Sequence, residues 1–153
     1  MNTIELSYDC KEYEAIADKK FVKAFLNKVC KELGVDNCEF SVSFIDENHM
    51  HELNKQYRDI DDSTDILSFA VMDEVDDFCF ITPGKRKTNI GDMLICPEVM
   101  NRNAENFGEQ PHIELCRLLI HGVLHLSGEN HLSNDVDKEP MLQKQEKLLA
   151  KIS

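Results

Sequence analysis

The chain has 153 residues, 42% of them hydrophobic, and carries 17 basic against 29 acidic side chains, a net charge of −12 at pH 7. That length buries most of its apolar surface without covalent staples, so one domain spanning 1–153 is expected. The negative charge argues against a protein that coats nucleic acid by counterion release, and any RNA contact must be local.

The chain opens MNTIELSYD, with no basic stretch leading into an apolar run. Nowhere does it sustain the roughly 18 apolar residues of a membrane span. A cytoplasmic location away from membranes is expected. Residues 3–8 (TIELSY) alternate apolar and polar as a half-buried strand does. Phe21, Phe25, Val29 and Leu33 recur at four-residue steps and predict a helix that Gly34 closes. Residues 38–45 (CEFSVSFI) alternate again, through Phe40, Val42 and Phe44. Asp46 is a good N-cap for the helix DENHMHELNKQYR, in which Met50, Leu53 and Tyr57 form an apolar stripe.

After the turn DIDDS, residues 65–72 (DILSFAVM) and 90–96 (IGDMLIC) read as strands. They are joined by a long loop at 73–89, acidic and then basic at Lys85, Arg86 and Lys87. Pro97, Pro111 and Pro140 each suit the first position of a helix. The first ends at Gly108. The second, PHIELCRLLIHGVLHLSG, is very apolar, and the last carries Met141, Gln145, Leu148 and Leu149 on one stripe. The fold expected is α+β, a single mixed sheet of about four strands covered by about five helices. Cys10, Cys30, Cys38, Cys79, Cys96 and Cys116 form no CxxC pair and fall mostly in apolar segments. They read as reduced core residues.

The strongest chemical signal is HGVLHLSGENH. His121 and His125 are four apart in a helical pattern, so they share one face and can chelate one ion. Gly128 releases the chain, and three residues later His131 can swing back to complete three imidazole ligands with a fourth position open. One Zn2+ per chain, at the end of the central apolar helix, is the expectation. The HxxxHxxGxxH spacing is that of the long metzincin zinc peptidases, where a glutamate after the first histidine is the general base. Here that position is Gly122, which argues against proteolysis by that mechanism. His49, His51 and His112 read as surface residues without a role.

Together with LNKQYRDIDDSTDILSF at 53–69, IGDMLIC at 90–96 and MLQKQEKLL at 141–149, the histidine segment resembles the bacterial YbeY family of rRNA maturation factors. The resemblance implies a zinc-dependent, single-strand-specific endoribonuclease. Such an enzyme acts in maturation of the small-subunit rRNA 3′ end and in ribosome quality control, with small-subunit proteins and an assembly GTPase as partners. The family's zinc ligands fall on His121, His125 and His131, its arginine on Arg58, and its Thr-Asp pair on Thr64 and Asp65. The chain departs from the family where Glu129 and Asn130 replace an aromatic and an aspartate, and where Ser63 replaces a proline.

In this reading Arg58 holds a phosphate oxygen with its fork of donors, and Asp65 is a base or a support of the metal site. Lys85, Arg86 and Lys87 could guide a single strand. Other readings are a zinc hydrolase or peptidase whose base lies outside the motif, and a non-enzymatic assembly factor with structural zinc.

Overall fold

In a computed structural model of the chain, residues 1–71 and 87–153 are described. The strands are β1 (Thr3–Tyr8), β2 (Cys38–Phe44), β3 (Ile66–Ala70) and β4 (Thr88–Ile95). The helices among the described residues are α1 (Lys11–Ile16), α2 (Lys19–Leu33), α3 (Glu47–Arg58), α4 (Pro97–Asn106), α5 (Pro111–Leu126) and α6 (Pro140–Ile152). The five expected helices and four strands are present. The sixth helix, α1, is a short turn whose only buried residue is Tyr13, too brief to leave a periodic pattern.

Local chemistry sets these boundaries. Asp18 and Asp46 accept the backbone N–H of Phe21 at 3.0 Å and of His49 at 2.8 Å, so each satisfies an otherwise unpaired donor at its helix start. Gly34 ends α2 in the left-handed region at φ 70°, and proline opens each of α4, α5 and α6.

The sheet order is β1-β2-β4-β3; β1, β2 and β4 run parallel and β3 is antiparallel to β4. Phe40, Val42 and Phe44 of β2 face a core made with Val22, Phe25, Leu26 and Val29 of α2 and Leu119, Ile120 and Val123 of α5. A smaller cluster of Ile45, Met50, Leu67, Cys96 and Val99 seats α3 and α4 beside β3. Elsewhere the strands alternate to polar residues: Ser7 Oγ donates to Ser43 Oγ at 2.7 Å and Ser41 Oγ to Asp92 Oδ1 at 2.5 Å.

Between β2 and β4 the register skips Ile90, since Glu39 pairs with Asn89 and Phe40 with Gly91. The bulge places Gly91 at φ +134°, where a Cβ would stand 2.1 Å from the Phe69 carbonyl oxygen. Only glycine allows β3 to lie against β4 there.

Most of the expected 73–89 loop, with Lys85 and Arg86, lies outside the described residues. Its end differs from expectation, because Thr88 and Asn89 already belong to β4. Of the described cysteines, Cys30, Cys96 and Cys116 are buried as expected, whereas Cys10 is exposed and Cys38 half-buried; all five are free thiols. Cys10 precedes α1, where the polar neighbours Asp9 and Lys11 keep the chain at the surface.

Candidate metal centre

Helix α5 is buried on most of its circumference, with Leu115, Cys116, Leu118, Leu119, Ile120, Gly122, Val123, Leu124 and Leu126 all inaccessible. Its two histidines are the half-buried exception near the C-terminal end. His121 and His125 stand one turn apart with ring centroids 4.7 Å from each other. The helix then stops: Gly128 and Glu129 donate backbone N–H to the carbonyls of His125 and Leu124, each at 3.0 Å. Gly128, at φ 105°, turns the chain back. That turn brings the His131 ring to 5.2 Å from His121 and 5.3 Å from His125. One ring nitrogen from each of the three lies within 4.8 Å of the others. The expected trio therefore converges.

The loop carrying His131 is braced from the start of α6. Glu139 accepts the Leu132 amide at 3.0 Å and the Ser133 hydroxyl at 2.8 Å, and Lys144 pairs with Glu129 at 2.8 Å. His131 Nδ1 lies 2.8 Å from the Ser133 carbonyl, an oxygen that can only accept. His121 Nδ1 likewise lies 2.6 Å from Gln145 Oε1. Both rings therefore bear a proton on Nδ1, which leaves Nε2 as the nitrogen each can offer an ion. Burial pushes the His121 imidazole pKa down to about 4, so this ring is neutral near pH 7. Neutral imidazoles with Nδ1–H committed to protein oxygens are the donor set that zinc takes, and the residues fit the ion.

The three histidines lie in a cleft of about 970 Å³ whose lining also includes Arg58, Thr64, Asp65, Phe69, Phe107 and Asn130. Arg58 is the last residue of α3. No described carbonyl or carboxylate engages its guanidinium, those of its own helix end included. Asp65 precedes β3. Its carboxylate accepts from Asn103 Nδ2 and from Thr64 Oγ1, both at 3.4 Å. Burial still raises its pKa above the ordinary aspartate value, against the pull of these donors and the Ile66 amide.

Lys87 is not part of this cleft. Its ammonium donates to Thr3 Oγ1, on the edge strand opposite β3. Among the other histidines, His49 pairs with Asp9 at 3.0 Å and His51 with Asp61 at 2.7 Å. His112 packs against the Phe21 ring. None of them approaches the trio. Ser63 donates its backbone N–H to Asp62 Oδ1, a bond that a proline at this position could not make.

Sequence reasoning passed over Glu114, Arg117, Gln145 and Glu146, which also line the cleft. Glu114 and Arg117 were hidden in a helix notable for its apolar residues. Gln145 had a visible signal, since it is the one amide in the buried stripe of α6 and is 6% exposed. Phe107 was unremarked because a single aromatic carries no period; it is 79% exposed at the cleft margin.

Gly122 explains the missing metzincin base. It faces the sheet and not the cleft, and a Cβ there would stand 2.3, 2.4 and 2.9 Å from Cε, Sδ and Cγ of Met93 on β4. No acidic side chain fits.

Residues 4–153 match the family model described as Endoribonuclease YbeY. An endoribonuclease YbeY of Treponema denticola is 39% identical over 148 residues, covering 97% of this chain and 92% of its own length. That of Sulfurihydrogenibium sp. is 35% identical over 141 residues, covering 92% of this chain and 88% of its own. The solution structure of a Thermotoga maritima protein superposes with a TM-score of 0.63 at 26% identity, covering 98% of this chain and 89% of the other.

Proposed function

The chain belongs to the YbeY family of endoribonucleases, and from that membership we propose that it is a zinc-dependent, single-strand-specific endoribonuclease acting as one metallohydrolase domain. Its substrate is the 3′ end of small-subunit rRNA, and its setting is cytoplasmic ribosome maturation and quality control. One observation carries the reading: three imidazoles converge in the same cleft as an arginine that no described carboxylate neutralises.

His121, His125 and His131 would hold the ion. When bound, zinc supplies a Lewis acid and activates water for attack on phosphorus. Arg58, whose donors no described residue engages, orients a non-bridging phosphate oxygen and stabilises the charge that builds during displacement. Arg117 does not take that role, because Glu109, Glu114 and Glu146 already surround it. Asp65, whose pKa burial raises above the ordinary aspartate value, is the carboxyl in this cleft best placed to take a proton. Phe107 offers an exposed ring on which an unpaired base stacks, which favours single strands over duplex.

A single uncommitted cation among the described residues of the cleft, in a protein of net charge −12, gives weak affinity for free RNA. Small-subunit proteins and an assembly GTPase supply the remaining affinity. Two features disfavour the alternatives. A peptidase base is sterically barred at Gly122, and among the described residues no fourth ligand closes the site into a structural one.

The test pairs metal content, by elemental analysis, with cleavage of a single-stranded RNA by the parent, His125→Ala and Arg58→Glu proteins. Metal near one per chain, lost in His125→Ala, with cleavage lost in both variants, is the expected result. Unchanged cleavage in the metal-free variant sinks the nuclease assignment.

A further inference from the structure

Three side chains behind His121 form a hydrogen-bonded series whose polarity is forced. Arg117, one turn before His121 on α5, can only donate. Its Nε reaches Glu146 Oε2 at 3.0 Å and its Nη2 reaches Glu146 Oε1 at 3.1 Å, a two-pronged pair. A carboxylate can only accept, so the group that Gln145 turns toward Glu146 must be its NH2, and Nε2 lies 3.0 Å from Glu146 Oε2. The Gln145 carboxamide then has one remaining face, its oxygen, 2.6 Å from His121 Nδ1. An amide oxygen accepts, so His121 must carry its proton on Nδ1.

We propose that Gln145, oriented by Glu146 and Arg117, is a positioning residue that fixes the His121 tautomer and thereby readies its Nε2 as a metal ligand. The inference rests on reading the histidine trio as a metal centre. Without the series, the amide is free to flip and present NH2 to the ring. Nδ1 then becomes the acceptor and the proton moves to Nε2, the nitrogen the ion needs. The carboxamide also orients the ring without adding a negative charge next to the ligand, as a carboxylate there would.

This role accounts for the polar side chain in the buried stripe of α6 and for the three carboxylates that enclose Arg117. Glu109 and Glu114 hold Nη2 and Nη1 at 3.4 and 3.3 Å, which fixes the guanidinium at the cleft wall.

The experiment uses full-length protein stripped of metal. The His121 tautomer is read from imidazole nitrogen chemical shifts by NMR, and zinc affinity by competition with a chromophoric chelator. The proteins are the parent, Gln145→Met, Glu146→Leu and Glu146→Gln. Gln145→Met keeps the length and loses the acceptor, and is expected to lose the Nδ1–H preference and to bind zinc about 10–100-fold more weakly. Glu146→Leu moves both readouts in the same direction, toward the low end of that range. Glu146→Gln keeps an acceptor oxygen for the Gln145 NH2 and recovers most of the parent behaviour.

An unchanged tautomer and unchanged affinity in folded Gln145→Met overturn the proposal. If Gln145→Met does not fold, the two substitutions at the more accessible Glu146 decide, and equal behaviour of leucine and glutamine there overturns it. Failure of the parent to bind zinc defeats the metal reading instead, while the tautomer, measured without metal, still tests the series.

Discussion

Replacing Gly122 with alanine tests both the packing of α5 and the reason this site lacks a metzincin base. The added methyl would meet Cε and Sδ of Met93 at 2.3 and 2.4 Å and Cγ at 2.9 Å. Ordinary carbon contacts lie at roughly 3.5–4 Å, so the methionine must retreat by about an ångström. Met93 is fully buried, so it must repack against its core neighbours to do so. Overpacking of this kind costs about 1–3 kcal/mol, and three contacts place it at the upper end. Alanine returns about 1 kcal/mol as the better helix former. The net loss is about 2 kcal/mol, or roughly 4–8 °C in Tm for a chain this size. Thermal unfolding of metal-stripped protein by circular dichroism measures it. Adding Met93→Ala should relieve the clash, with a coupling of about 1–3 kcal/mol in the double-mutant cycle. A Tm for Gly122→Ala equal to or above the parent's would refute the close approach of α5 to β4. The claim that a glutamate is sterically barred there would fall with it.

Gly91→Ala should be worse, at about 3 kcal/mol or more, because the clash at 2.1 Å is with the Phe69 carbonyl and φ is +134°; urea unfolding reads it, and a loss under 1 kcal/mol, of the order of a propensity change, would count against the bulge. For His121, the unfolded chain takes its proton near pH 6.5 and the folded one near pH 4. The ring's contribution is thus present above about pH 6.5 and lost as pH falls toward 4. At roughly 1.4 kcal/mol per unit this is about 3 kcal/mol. Urea midpoints of metal-free protein across that range should fall less steeply for His121→Asn, and parallel slopes would disprove it. Asp65→Asn should abolish RNA cleavage yet stabilise the metal-free fold by about 0.5–2 kcal/mol, since it removes a carboxylate that burial disfavours; a lower Tm would mean that its hydrogen bonds outweigh its desolvation.

The parts of the molecule legible in sequence are those where one local rule acts alone. Asp46 and Gly34 announced the ends of α3 and α2 because caps satisfy backbone groups within a few residues. The histidine trio was legible because two ligands share a helix face and the third follows a glycine turn, so almost all of the geometry is local. Arg58 and Asp65 were found through family resemblance only. They reach the cleft because β3 pairs antiparallel at the sheet edge beside α5, and that pairing depends on the Gly91 bulge, 26 residues beyond Asp65 in the chain. Gln145 read as one member of an amphipathic stripe, since nothing within α6 distinguishes an amide that ends a hydrogen-bonded series from one that merely interrupts an apolar face.

Gly122 and His121 are adjacent, yet they answer to opposite sides of one helix. The glycine sets how closely α5 approaches β4, and that distance sets how deep the two α5 histidines sit in the cleft. A larger residue at 122 would push the helix off the sheet and carry both rings away from His131, whose own position is fixed independently by Glu139 at the start of α6. The zinc peptidases named by the same spacing use this position for chemistry, whereas here it is used for packing. A base for this site must therefore come from another element. Among the described residues the carboxyls lining the cleft are Asp65, Glu114 and Glu146, and the two glutamates are committed to Arg117 at 3.3 and 3.0 Å. That leaves Asp65, with a neighbouring threonine and asparagine as its side-chain partners, as the carboxyl we propose for the proton acceptor.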